Sequence, residues 1–162
     1  MRLMKTLILC LLLAVSCAAQ STVKPPEVNV DYDKFQKVTK LRMEASLSSV
    51  AANTKRYTID FTTVARIPDD GKPIILFYFS TSPKWLFNQP TLRIMVNERL
   101  LEFTTDEIDN SVIYSIPLAD FKLIANADTV DIQLIPFETS LDDRTLAGLK
   151  NLLTLTTPQP PR

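Results

Sequence analysis

Cys17 is the residue of this chain best suited to a specific covalent reaction, because a cysteine at the end of an export leader can be acylated on its sulfur. The leader begins with Arg2 and Lys5, continues through the apolar run 6–14 and closes on the small residues 15–19. A basic start, an apolar stretch and a small-residue end are typical of a secretory signal peptide. The sequence therefore predicts export.

Three outcomes are open for this leader. The segment Ala14-Val15-Ser16-Cys17 resembles the bacterial lipoprotein signal, in which cleavage precedes a cysteine that becomes the acylated N-terminus, although Ala14 stands where that signal usually has leucine. An ordinary signal peptidase would instead cut after Ala19 and discard Cys17. An uncleaved anchor is disfavoured, because about ten to twelve apolar residues are fewer than the roughly twenty that cross a membrane.

The charge balance gives no electrostatic footprint for nucleic acid. The chain holds 18 basic and 18 acidic side chains, and removal of the leader takes away Arg2 and Lys5, which leaves 16 against 18 and a net charge of −2. Nucleic-acid binding requires a basic face, so we predict no nucleic-acid partner.

The absence of histidine removes most hydrolytic mechanisms. The chain has no histidine, and its two cysteines, Cys10 and Cys17, both lie in the leader. The domain beyond the leader therefore lacks a Ser-His or Cys-His pair and a nitrogen ligand for zinc. Carboxylate pairs and all-oxygen calcium sites remain possible. We predict no cofactor and no catalytic residues, and a fold stabilised by packing without disulfides.

Three acidic residues, Asp106, Glu107 and Asp109, are weak candidates for a metal site. Their carboxylates could bind calcium, but they lack the spacing of a dedicated calcium loop. The alternative is a solvated turn, and we predict no metal.

Trp85 and Phe87 are the candidates for a ligand or partner site. They lie between Pro83 and Pro90, in a loop of the kind that stacks on sugars or docks a partner. The alternative is that both rings plug the open end of a β-sandwich, because large aromatic side chains are usually buried.

The remaining sequence predicts one β-rich domain at residues 31–155. It follows the signal peptide, residues 1–19, and an extended tether, residues 20–30, that contains Pro25 and Pro26, and it precedes a disordered tail at 156–162. If Cys17 is acylated, the tether would hold the domain off the membrane.

Alternation of apolar and polar residues predicts six to seven strands. It is clearest at 39–47 and 55–67, and the wholly apolar run 74–79 predicts a central strand covered on both faces. A hairpin is expected at 91–105, with its tip at 97–99, and further strands at 111–116 and 129–135.

Two helices complete the prediction. A short one covers 118–126, and a C-terminal amphipathic one starts at a capping segment, 140–143. Short connections favour antiparallel pairing, so the expected fold is mostly β: an antiparallel β-sandwich or curled sheet with both helices packed on it.

Two motifs carry a resemblance to a known family. Tyr32-Asp33-x-Phe35 is followed by strands and then by Asp120-Phe121-x-x-Ile124-Ala125-Asn126-Ala127-x-x-Val130-x-x-Gln133-Leu134. In this order they resemble a family of small exported bacterial proteins of uncharacterised function, over roughly residues 30–153. The resemblance implies a compact bacterial domain and brings no catalytic residues.

These observations leave three hypotheses for function. The first is a non-enzymatic bacterial envelope protein, periplasmic or lipid-anchored, that acts through protein contacts or as a structural module. The second is a binding module for a glycan or another envelope ligand, which uses the loop of Trp85 and Phe87. The third is a histidine-free hydrolase that uses two carboxylates roughly 5 to 10 Å apart.

Overall fold

The computed structural model describes residues 24–50, 56–69, 72–81, 91–105, 111–135 and 137–156. They form nine strands and two helices. The strands are β1 (Val28–Asp33), β2 (Val38–Val50), β3 (Arg56–Pro68), β4 (Ile74–Thr81), β5 (Thr91–Val96), β6 (Arg99–Thr104), β7 (Ser111–Ile116), β8 (Val130–Leu134) and β9 (Phe137–Ser140); the helices are α1 (Leu118–Ala125) and α2 (Asp143–Thr156).

The strands form two antiparallel sheets, which confirms the predicted fold class. The first sheet has the order β1-β2-β3-β4-β7 and the second the order β6-β5-β8-β9. A hydrogen bond of 2.9 Å from the Thr139 hydroxyl of β9 to the Ser48 carbonyl of β2 ties the two sheets together at one side.

Period-two alternation explains β2 and β3. Leu41, Met43 and Leu47 of β2 are buried, as are Ile59 and Phe61 of β3, while the residues that alternate with this set face the opposite side. The two strands pair over 13 residues each, from Val38–Pro68 to Val50–Arg56. One face of the first sheet is therefore buried by the second sheet and the helices, and we call the opposite face the outer face.

The prediction for β4 is half wrong. It lies inside the sheet, between β3 and β7, as expected. Its burial alternates, however: Ile75, Phe77 and Phe79 are buried, whereas Leu76 and Tyr78 are only half-buried on the outer face. An unbroken apolar run therefore marks here a strand with one buried face and one apolar face that remains accessible.

Two strands lie outside the predicted set, which raises the count from six or seven to nine. The predicted tether, 20–30, ends early because Val28 already pairs with Met43 in β1. The second addition, β9, pairs with β8 from Leu134–Phe137 to Asp131–Ser140. Thr156, which the prediction placed in the tail, is the last residue of α2, and residues 157–162 lie outside the described part of the chain.

The predicted hairpin is present, and its tip has a defined turn. Val96 of β5 pairs with Arg99 of β6, so the loop consists of Asn97 and Glu98, which have φ values of 45° and 70°. Two consecutive positive φ values define a type I′ turn, which suits the twist of a hairpin. Asn97 also accepts a hydrogen bond of 3.2 Å from the Thr129 amide through its side-chain oxygen.

Glu98→Gly should stabilise the protein by about 1 kcal/mol, because a non-glycine residue pays a steric cost of this order in the left-handed region. The urea midpoint of unfolding is the measurement, and it should rise without a change in slope. Glu102→Gly, within β6, is the matched control and should lower the midpoint. A lower midpoint for Glu98→Gly would contradict the turn assignment.

Helix α2 begins where the sequence predicts a cap. The Asp142 carboxylate accepts a hydrogen bond of 2.8 Å from the Thr145 amide, as an N-cap residue does. The apolar stripe faces the core, with Leu141, Leu146, Leu149 and Leu152 buried and Leu153 half-buried.

Gly148 lets α2 approach the first sheet closely. A Cβ atom at this position would lie 2.6 Å from the Met43 sulfur and 3.0 Å from the Pro26 ring. Pro26, from the end of the predicted tether, is therefore packed against the domain. Glycine at this position serves helix packing and not a turn.

Candidate binding surface

The outer face of the first sheet is the candidate functional site, and strand register places its side chains. Residues alternate in direction along each strand, and cross-strand partners share a face. Four rows cross the sheet in this way: Asp31-Lys40-Arg66-Ile74, Asn29-Arg42-Val64-Leu76-Ser115, Glu44-Thr62-Tyr78-Ile113 and Ser46-Asp60-Ser80-Ser111.

The centre of the outer face is apolar. Val64 lies opposite Leu76, and Tyr78 lies opposite Ile113; all four are half-buried, and Ile74 beside them is 47% exposed. A contiguous apolar patch that remains open to solvent marks an interaction site more often than an isolated apolar residue does.

Charged residues border this apolar centre on one side. Arg42 and Glu44 form an ion pair of 2.6 Å, and Lys40 pairs with Asp33 at 3.3 Å. Arg66 lies directly opposite Lys40 and has no ion-pair partner within the described ranges. Like charges on facing residues of a sheet are unfavourable, and the Asp33 carboxylate beside Lys40 offsets part of that cost.

Two open depressions lie along this surface. One has a volume of about 620 Å³ and runs from Asn29 and Asp31 to Tyr78 and Ser111. The other, of about 490 Å³, shares Arg42, Thr62 and Ser80 with it and reaches the start of α2 at Asp142. Such volumes suit a ligand or a partner side chain. Hydroxyl, amide, guanidinium and apolar groups line them, together with the carboxylates of Asp31 in the first and of Glu44, Asp60 and Asp142 in the second.

The sequence-predicted site residues lie outside the described residues. These are Cys17, Trp85, Phe87, Asp106, Glu107 and Asp109. Their proposed roles therefore stay predictions.

Topology does bring together the attachment points of the two loops that carry five of these residues. The segment 82–90 joins Thr81 of β4 to Thr91 of β5, and the segment 106–110 follows β6 and leads to Ser111 of β7. Ser111 pairs with Ser80, and Thr91 pairs with Thr104. The residues that flank both segments thus lie at the same end of the first sheet and at the same end of the second.

The carboxylate of Asp33, within the described residues, has a structural role. The backbone amide of Gln36 donates to Asp33 and holds the pKa of that carboxyl below its ordinary value, with smaller contributions from Lys40 and the Phe35 amide.

Among the residues that the structure covers, no group of three or more acidic, histidine or cysteine side chains could hold a metal ion. The carboxylate hydrolase stays a prediction.

Sequence reasoning missed the outer face. The signal was Tyr78 in the run 74–79, since a phenol inside a strand covered on both sides would need a buried hydrogen-bond partner. The basic residues of β2 and β3 gave a second signal, because they alternate with the buried apolar residues of those strands. They therefore lie on the face opposite the core, as Tyr78 does.

Comparison with protein-family models, with curated proteins and with solved structures finds no match. The resemblance carried by Tyr32 to Phe35 and Phe121 to Leu134 therefore stays a prediction. None of the helices within the described residues is long and apolar enough to cross a membrane.

Proposed function

We propose that this chain is a non-enzymatic exported bacterial envelope protein, anchored through an acylated Cys17, that acts through protein contacts made by the outer face. The leader supports export, and the lack of histidine and of cysteine beyond residue 17 supports a role without catalysis. The observation that carries the proposal is the half-buried apolar centre of Val64, Leu76, Tyr78 and Ile113, bordered by charged residues.

The composition of this face favours a protein as the partner. Protein interfaces combine an apolar centre with a polar rim, and tyrosine and arginine are the residues that most often dominate their binding energy. Tyr78 supplies the aromatic group, and Arg66 supplies a guanidinium that pairs with no acid among the described residues and could pair with a carboxylate of a partner. We expect a partner surface with an apolar side chain beside an acidic one.

Site-specific photo-crosslinking in bacterial cells tests this proposal. A photoreactive phenylalanine analogue at Tyr78 should give a discrete protein adduct, and the same analogue at Met95, which is 38% exposed on β5, should not. Leu76→Lys should reduce the adduct by roughly tenfold or more, because burial of a leucine side chain contributes about 1.5–3 kcal/mol.

Met95→Lys is the matched control and should leave the Tyr78 adduct unchanged. Thermal unfolding of Leu76→Lys must remain cooperative, so that loss of the adduct reports on the surface. Equal adducts at Tyr78 and Met95, or an adduct that is insensitive to Leu76→Lys in the folded protein, would overturn the outer face as the contact surface.

A glycan or another envelope ligand is the second candidate, through Trp85 and Phe87. The topology supports it because the segment 82–90 follows Thr81, the residue after Ser80, and Ser80 lines both depressions. Titration with envelope glycans should then lose its signal in Trp85→Ala, and an unchanged titration would exclude that loop.

A further inference from the structure

The turn between β1 and β2 presents an apolar tip. Phe35 is 89% exposed, and Tyr32 and Val30, on the adjoining edge strand, are 53% and 62% exposed. A fully exposed phenylalanine has no role in folding that its contacts explain. Interfacial segments of membrane-bound proteins combine exposed aromatic rings with lysine side chains in this way.

The turn is ordered, so the exposure of Phe35 is built into the fold. The Asp33 carboxylate accepts hydrogen bonds from the backbone amides of Phe35 at 3.0 Å and Gln36 at 3.1 Å. The Asp69 amide donates to the Lys37 carbonyl at 3.1 Å, and the Tyr32 hydroxyl donates to the Asp69 carboxylate at 3.2 Å. The backbone amides of Phe35 and Gln36 and the carbonyl of Lys37 therefore have partners in place when the turn approaches a bilayer surface.

Charge at the tip complements an anionic surface. Lys34 and Lys37 flank Phe35, and neither has an ion-pair partner within the part of the chain that the structure describes. The Lys34 ammonium lies 5.2 Å from the centre of the Phe35 ring, so one basic group and the ring point to the same region. Of the acids nearby, Asp33 forms an ion pair with Lys40, Asp31 lies opposite Lys40 in the sheet, and Asp69 accepts a hydrogen bond from Tyr32 and keeps its charge.

The length of the tether permits the tip and an anchored Cys17 to lie in one plane. Pro26 is packed against Gly148, and nine residue steps separate it from Cys17, a length that can span up to roughly 30 Å. The path from Pro26 along β1 to Asp33 covers roughly 23 Å.

We propose that the β1–β2 turn docks on the surface of an anionic bilayer, with Phe35 inserted at the headgroup level and Lys34 and Lys37 against lipid phosphates. This proposal rests on the proposed anchoring at Cys17 and adds an orientation to it. With β1 near the membrane, the domain has two attachments, and the second is strengthened by the high local concentration that the anchor provides.

Quenching by brominated lipid tests the docking in the full chain. Phe35→Trp, reconstituted in phosphatidylglycerol-containing vesicles whose acyl chains carry bromine, should show added tryptophan emission that is quenched and blue-shifted relative to the parent protein. Met95→Trp is the matched control and should show added emission without quenching, because β5 belongs to the other sheet.

Phe35→Ser in a Cys17→Ser chain should reduce flotation with the same vesicles roughly tenfold relative to Cys17→Ser alone.

Intact mass of the same preparation separates the two proposals. A diacylglyceryl increment at Cys17 with no quenching of Phe35→Trp would overturn the docking and leave the anchor in place. A chain that begins at Gln20, yet whose Phe35→Trp emission is quenched by added vesicles, would overturn the anchor and support the docking. If the emission of Phe35→Trp is unquenched and the variant instead sediments in a complex with another protein, membrane docking is overturned in favour of a protein partner.

Discussion

Phe77→Ala should lower the free energy of unfolding by about 4 kcal/mol, the largest effect that we expect from one substitution in this domain. Phe77 is fully buried on β4 and contacts three other aromatic rings. The ring centroids of Phe61, Phe79 and Phe121 lie 5.1, 6.5 and 6.1 Å from its own, each in an edge-to-face arrangement. Alanine would leave a cavity where β3, β4 and α1 meet.

Tyr78→Ala is the control, because Tyr78 follows Phe77 directly and points to the outer face. Its half-buried ring should cost only about 1 kcal/mol when removed. Urea unfolding of the two variants gives the comparison, with equal slopes required for it to hold. Similar losses for both variants would mean that the two faces of β4 are equally buried, as the sequence alone predicted.

The strongest elements were predictable because their patterns are local. Leu41, Met43 and Leu47 repeat every second residue, and Leu146, Leu149 and Leu152 lie on one face of a helix that Asp142 caps. These patterns depend only on which side of an element is buried. They can therefore be recognised in the sequence however the neighbouring elements are arranged.

The missed strands carry little of that signal. In β1, every residue from Asn29 to Tyr32 is exposed, so its alternation of valine and aspartate reflects no buried face. The four residues of β9 include one buried side chain, Phe137. Their strand geometry comes from pairing with β2 and β8, the neighbouring strands along the chain, and not from a buried face of their own.

The division into two sheets was also beyond local patterns. β4 pairs with β7 and β5 pairs with β8, so each sheet contains strands that other elements separate along the chain. Alternation assigns a face to each strand but not a neighbour. The outer face, with Leu76 beside Val64 and Tyr78 beside Ile113, exists only once that pairing is known.

Tyr114 shows that the core is not uniformly apolar. Its side chain is fully buried on β7, and its hydroxyl finds no hydrogen-bond partner among the described residues; the same holds for the Thr63 hydroxyl. The two residues are in one cross-strand row, Thr63-Phe77-Tyr114. A buried hydroxyl without a partner costs about 1–3 kcal/mol, so Tyr114→Phe should be neutral or stabilising near pH 7.

Tyr114 should also make the protein sensitive to alkali, and Tyr114→Phe should remove that sensitivity. Burial raises the pKa of Tyr114 to about 12, while an unfolded tyrosine titrates near 10. The folded chain retains the phenol proton that the unfolded chain loses, so stability is full below about pH 10 and falls as the pH rises towards 12. The loss approaches about 1.4 kcal/mol per pH unit, or about 2–3 kcal/mol in total.

Urea unfolding at intervals from pH 8 to pH 11.5 measures this effect as the difference between the parent protein and Tyr114→Phe. Exposed tyrosines and lysines titrate equally in both proteins, so the difference isolates Tyr114. It should be constant below about pH 10 and then grow in favour of the variant. A constant difference across the whole range would show that the Tyr114 phenol ionises as readily in the folded chain as in the unfolded one, because water reaches its hydroxyl.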